Sequence, residues 1–170
     1  METIITQHIP GLEKFELPDH ARVWVFQADR FLTDEENSQL ETAGNLFADQ
    51  WKAHGKQLTA QFATVSNLFA VMAIDERMEG ASGCSIDVFM RFVLDAEKQF
   101  NVSFTNRLCF AYMHNGHIEL CKSTEAKTKA AEGILTKQTP VFDNLVTDLG
   151  KLRHQWLKPA SEVWVGTYVK

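Results

Sequence analysis

The apolar positions of this chain switch repeatedly between a period of two and a period near 3.6, and the order of the switches predicts its elements. Arg22-Val23-Trp24-Val25-Phe26-Gln27-Ala28 sets β-branched and aromatic side chains in series after a Pro18-Asp19 turn, which predicts a first strand. Thr33-Asp34-Glu35-Glu36 has the capping-box pattern, and Leu40, Ala43, Phe47 and Trp51 then recur on one helical face. That helix is expected to end near Ala53-His54-Gly55, with Gly55 as its left-handed cap. Gln57 to Val65 alternates as a half-buried strand, Ser66-Asn67 reads as a turn, and Leu68 to Ile74 is apolar on both faces, as a strand in the middle of a sheet would be.

The loop from Asp75 to Gly83 leads into a second helix, with Ile86, Phe89, Met90, Val93 and Phe100 on one stripe and Asp87, Arg91 and Asp95 spaced by four on the other. Leu108 to Met113 and Ile118 to Lys122 flank Asn115-Gly116, the strongest hairpin signal in the chain. Beyond it, Ser123 is expected to cap a short helix ending at Gly133, and Pro140 precedes an extended Val141-Phe142. Thr147 or Asp148 starts a last helix carrying Leu149, Leu152 and Trp156, and Val163-Trp164-Val165 is expected to return to the sheet. The class is α+β: an antiparallel sheet with helices packed on one face, a ferredoxin-like βαββαβ core and appended C-terminal helices. With no repeat, low-complexity segment or long linker, residues 1–170 read as one domain.

Composition narrows the function. Twelve Phe and four Trp supply large core pieces, and a formal charge of −5 without a block of Lys and Arg argues against nucleic-acid binding. Met1 to Gln7 has no basic, apolar leader, and the longest apolar run, Leu68 to Ile74, is far too short for a membrane span, so a cytosolic protein is expected. Cys84, Cys109 and Cys121 have no zinc spacing and read as free thiols. If Asn115-Gly116 is a two-residue turn, Cys109 faces Lys122 and Phe110 faces Cys121, which puts the second and third thiols on opposite faces.

Candidate chemistry concentrates at Gly80-Ala81-Ser82-Gly83-Cys84-Ser85-Ile86-Asp87, where glycines and the unpaired amides of a helix start favour an anion, be it thiolate, phosphate or carboxylate. Two functions follow. A binding module would hold a small anionic ligand or a protein partner on Ser82, Gly83, Cys84 and Ser85, with Asp75 at the end of the central strand. A thiol-dependent hydrolase or redox enzyme would use Cys84 as nucleophile, His54 as base, Asp87 to orient that base, and the amides of Gly83 to Ser85 to hold an oxyanion.

Each of these residues also has a structural role open to it. Cys84 can fill the strand-to-helix corner while Ser82 or Ser85 caps the helix, His54 can cap a helix C-terminus, Asp87 can pair with Arg91, and Asp75-Glu76 can be a solvated loop. A C-x5-R phosphatase is disfavoured because Arg91 lies seven positions after Cys84, about two helical turns away. His114 and His117 face each other across the hairpin but lack a third metal ligand, so neither metal nor cofactor is expected. Two tryptophans exposed together would mark a homodimer or partner surface.

The segments Arg22-Val23-Trp24-Val25-Phe26-Gln27-Ala28-Asp29-Arg30, Trp51-Lys52-Ala53-His54-Gly55, Ala81-Ser82-Gly83-Cys84-Ser85-Ile86-Asp87 and Phe142-Asp143-Asn144-Leu145-Val146 together resemble a group of short bacterial proteins of unknown function that often carry the label "ABC transporter ATPase". The resemblance implies no established activity. A phosphate-binding loop needs G-x-x-x-x-G-K-[ST]. Gly55-Lys56-Gln57 and Gly150-Lys151-Leu152 lack the hydroxyl residue, and Gln50 and Leu145 stand where the first glycine belongs. With no LSGGQ-like signature either, ATP hydrolysis by that mechanism is rejected.

Overall fold

The computed structural model describes residues 8–170; the leading Met1 to Gln7 stretch, read above for a leader, lies outside them. The fold is α+β. Its first sheet is three-stranded and antiparallel, with β1 (Arg22–Gln27), β4 (Thr59–Val65) and β5 (Phe69–Asp75) in the order β1-β5-β4. All seven residues of β5 are buried, so a strand apolar on both sides takes the central place. Helices α1 (Asp34–Gln50) and α2 (Gly83–Phe100) cover one face. There Phe89 of α2 meets Trp24, Phe26 and Trp51 with ring centroids 5.6 to 6.0 Å apart. Gly44 of α1 lies flat against the Phe62 ring, where any side chain would collide.

The other face receives a second sheet, built from β6 (Cys109–His114), β7 (His117–Lys122), β8 (Pro140–Phe142) and β9 (Leu157–Pro159) in the order β7-β6-β8-β9. Phe69 of β5 packs against Phe142 and Trp156, at 4.9 and 4.6 Å. Ala111 and Met113 of β6 join the core around β5, whereas Phe110 and Tyr112, on the opposite face of β6, join a second cluster with Cys121, Ala126 and Val165. The hairpin register is as read from Asn115-Gly116: Cys109 faces Lys122, Phe110 faces Cys121, and His114 faces His117.

The main departure concerns this hairpin. In the βαββαβ arrangement its first strand would lie beside β1, but β6 pairs with β7 and β8 instead. Only the first three strands follow the expected order, because Ala111 and Met113 bury themselves against the face of the first sheet rather than its edge. The edge of β1 is touched at one end by an isolated bridge, Arg22 to Asp148.

Smaller corrections have local causes. Helix α1 stops at Gln50, and His54-Gly55 is the turn of a two-stranded hairpin, β2 (Lys52–Ala53) and β3 (Lys56–Gln57), with φ of 51° and 76°. Gly55 is therefore a hairpin glycine and not a helix cap. The third helix, α3 (Ser123–Ala131), has Lys122 at its N-cap, one residue before the expected Ser123. Asp148 does cap α4 (Leu149–Gln155), by accepting from Lys151 N–H. The tail at Val163-Trp164-Val165 enters a 3₁₀ helix over Trp164–Tyr168, and Leu157–Pro159 is the segment that returns to a sheet. In α2 the buried stripe runs through Ser85, Phe89, Val93, Ala96 and Phe100, which leaves Ile86 and Met90 half-buried. Among the described residues no helix is long and apolar enough to cross a membrane.

Candidate functional site

At the Gly80 to Ser85 corner the structure puts Cys84 in solvent, so of the two roles open to it the buried, corner-filling one does not apply. The surrounding amides are largely engaged. Ser82 caps α2 by accepting from Ser85 N–H at 3.2 Å, and Ser82 N–H donates to Ser85 Oγ at 2.8 Å. Ala81 N–H is taken by the Glu76 carboxylate at 3.0 Å, and Ile86 N–H by Ser82 O. Of the expected anion nest, the N–H groups of Gly80, Gly83 and Cys84 have no partner among the described residues, and an added Cβ at Gly83 would meet open space.

The other residues expected to act with Cys84 are occupied or apart. Asp75 is buried under a two-pronged contact from Arg77, with Nη2 to Oδ2 at 2.6 Å, and faces His20 Nε2 at 3.3 Å. The Arg77 guanidinium holds its carboxyl well below the usual carboxylate range. Asp75 is thus neither a solvated loop residue nor an open ligand group. His54 is exposed in the β2-β3 turn, which the pair Lys56–Glu79 at 3.4 Å ties to the loop before α2. Asp87 is exposed and, among the described residues, forms no ion pair with Arg91. No hydrogen bond among them joins Cys84 to His54, Asp75 or Asp87. The other two thiols are buried, and burial pushes both up, Cys121 to about 11.

A different region has the form of a binding site. Between the two sheets, at the edge of β1 that β6 does not cover, lies a cleft of about 590 Å³. Its walls include Phe26, Phe104, Phe110, Phe142 and Trp164, and its polar lining includes Gln27, Asn144 and Arg107. Apolar walls with a few placed polar groups are the usual make-up of a small-molecule site. A second cavity, lined by Phe47, Gln50, Trp51, Lys52 and Val88, is smaller, at about 360 Å³.

The cleft's polar floor is one chain of hydrogen bonds. Trp156 Nε1–H donates to Asn144 Oδ1 at 3.1 Å, Asn144 Nδ2–H to Gln27 Oε1 at 3.1 Å, and Gln27 Nε2–H to Cys109 O at 3.3 Å. This explains how Gln27, only 7% exposed, is accommodated in an otherwise apolar strand. Each amide still has one N–H and one lone pair beyond the chain. One wall, residues 103–107, is positioned by Glu97 of α2. Its Oε1 accepts from Ser103 Oγ, Phe104 N–H, Thr105 N–H and Thr105 Oγ at 2.7 to 3.3 Å. Burial pushes the Glu97 carboxyl up, but these bonds together outweigh it and hold the group below its ordinary value.

Charge in the cleft is unbalanced. Asp143 is neutralised by Lys158 at 2.7 Å, whereas Arg107 has no ion pair among the described residues. At the rim, Leu145 is 81% exposed, and Trp164, at 45%, is the most exposed of the four tryptophans. The sequence reading singled out none of Gln27, Asn144, Arg107 and Glu97 as a site residue. The available signal was Gln27, an amide at an inward position of an apolar strand.

Comparison with protein families, with curated proteins and with solved structures found no match for this chain.

Proposed function

We propose that the protein is a binding domain that takes a small organic anion in the cleft between its two sheets. The observation that carries this reading is an arginine without an acidic partner, Arg107, in the wall of an aromatic-lined cleft whose floor presents a preset pair of amides. The aromatic walls suit a flat apolar body, the guanidinium suits a carboxylate or phosphate, and the amide pair suits a polar edge. Among the described lining residues, Cys109 is buried, Asp143 is paired with Lys158 and the Thr105 hydroxyl donates to Glu97, so the reading is one of binding, in a cytosolic setting.

The test uses 2-naphthoate as probe. At millimolar concentration it raises the melting temperature of the full chain, and Arg107→Gln reduces the rise to that given by the neutral 2-naphthamide. No rise, or an equal rise in the variant, would sink the reading.

One observation favours a second reading at the original corner: Cys84 is exposed, and its own amide and that of Gly83 have no partner among the described residues. On that reading Cys84 is a reactive thiol. Alkylation by iodoacetamide then proceeds faster than for a free cysteine near neutral pH, and a Cys84 that alkylates no faster than free cysteine excludes it.

A further inference from the structure

The open edge of β1 narrows the ligand class, on the premise that the cleft is the binding site. We propose that the occupant is an extended peptide segment bearing a carboxylate, added to β1 as a further strand.

Backbone groups along a strand point alternately to its two sides. Phe26 and Ala28 direct theirs to β5, as shown by Ala28 N–H donating to Leu68 O at 2.8 Å. Val23, Val25, Gln27 and Asp29 point the other way. At one end of that outer edge, Val23 N–H donates to Thr147 O at 3.1 Å and Leu149 N–H to Ala21 O at 2.8 Å. At the other end, Asp29 N–H donates to Ser103 O at 3.0 Å. Between these two clamps, the outward N–H and C=O of Val25 and of Gln27 have no partner among the described residues, and both residues line the cleft.

Two donor–acceptor pairs set two residues apart, about 7 Å along the strand, match the repeat of an extended chain laid alongside. A flat small molecule can meet one such pair, whereas a peptide strand meets both. Successive side chains of the added strand fall on opposite faces of the first sheet, one toward Phe26 and Met90 and the next toward Phe142. The clamps at Thr147 and Ser103 limit the bound segment to a few residues. Arg107 supplies the countercharge for a carboxylate, whether at the peptide's C-terminus or on an acidic side chain.

The test is fluorescence anisotropy with the full chain and a fluorescein-labelled tetrapeptide, Val-Thr-Val-Phe, with a free carboxyl terminus. The peptide binds. Of the two alternating patterns of amide N-methylation, one weakens binding by about tenfold or more and the other leaves it within about twofold, because one set of N–H groups faces β1. Amidation of the terminus removes binding if the terminal carboxylate is read, and replacing the last residue of the amidated peptide with Asp restores it if a side-chain carboxylate serves.

Val25→Pro removes the outward N–H, a change that open sheet edges tolerate, together with a side chain packed on the core, so it is compared with Val25→Ala: the proline weakens the peptide well beyond the alanine, and equal weakening by the two overturns the proposal. Should that variant fail to fold, the N-methylated pair carries the test. Equal binding of both N-methylated peptides overturns the proposal. A peptide that fails where 2-naphthoate binds also overturns it, with the cleft reading left standing; failure of both probes overturns both.

Discussion

Two regions of this molecule offer main-chain donors to solvent, and they differ in what lies beside them. At the Gly80 to Ser85 corner, the seryl capping box and Glu76 take the amides of Ala81, Ser82 and Ser85 from within a few residues of their own position, and only Gly80, Gly83 and Cys84 keep theirs free among the described residues. At the outer edge of β1, the groups of Val25 and Gln27 are left over because the strand expected to cover them packs against the sheet's face instead. A glycine-rich turn into a helix therefore signals local closure here, whereas the open site arises from long-range packing between residues as distant as Gln27 and Asn144, 117 positions apart. Substitutions at the corner should change stability without changing cleft binding, and substitutions around the cleft should change binding.

The largest expected effect is at the cleft floor. Trp156→Ala removes a ring packed on Phe69 and Phe142 together with the donor to Asn144, and it should cost about 3–5 kcal/mol in urea denaturation and abolish 2-naphthoate binding. A loss under about 1 kcal/mol would show that the floor is not part of the core. Glu97→Gln weakens the acceptor that gathers Ser103, Phe104 and Thr105, for an expected cost of about 1–3 kcal/mol and a several-fold weaker probe. Unchanged probe affinity would separate the 103–107 loop from the site.

Ser82→Ala should cost about 1 kcal/mol by loss of the α2 cap and leave the probe's affinity unchanged. A change in affinity there would break the contrast between the two regions. The smallest effect is in acid. Arg30 and the Thr33 amide hold the Glu36 carboxyl at about 2, below its usual 4.5, so the folded state binds fewer protons than the unfolded chain. That stability is present above pH 4.5 and is lost as pH falls toward 2, and Asp75, held down by Arg77, acts in the same direction. Thermal melts should show Glu36→Gln less sensitive than the natural chain over that interval.

Local signals were legible where the physics is local. The capping box at Thr33, the central strand read as Leu68 to Ile74 and the Asn115-Gly116 register depend on neighbouring residues, and all three are present, the strand one residue later at Phe69–Asp75. The partner of β6 was not legible, because Ala111 and Met113 satisfy the same alternation whether their strand joins an edge or covers a face. His54-Gly55 was misassigned for a related reason: a left-handed pair closes a hairpin as readily as it ends a helix, and only the pairing of Ala53 with Lys56 decides. The sequence pointed to Ser82, Cys84, Ser85 and Asp75 at and beside the corner. Their hydrogen-bond partners, Arg77 on Asp75 above all, lie in loops whose course the pattern does not fix.

The central claim, that β1 has an open outer edge facing the cleft, is tested most directly by amide hydrogen exchange in the protein without added ligand. The account predicts alternation along the strand: slow exchange at Trp24 and Phe26, whose amides point to β5, and exchange faster by orders of magnitude at Val25 and Gln27. Equal protection at all four positions would mean that the edge is already paired, and the cleft could not serve as described.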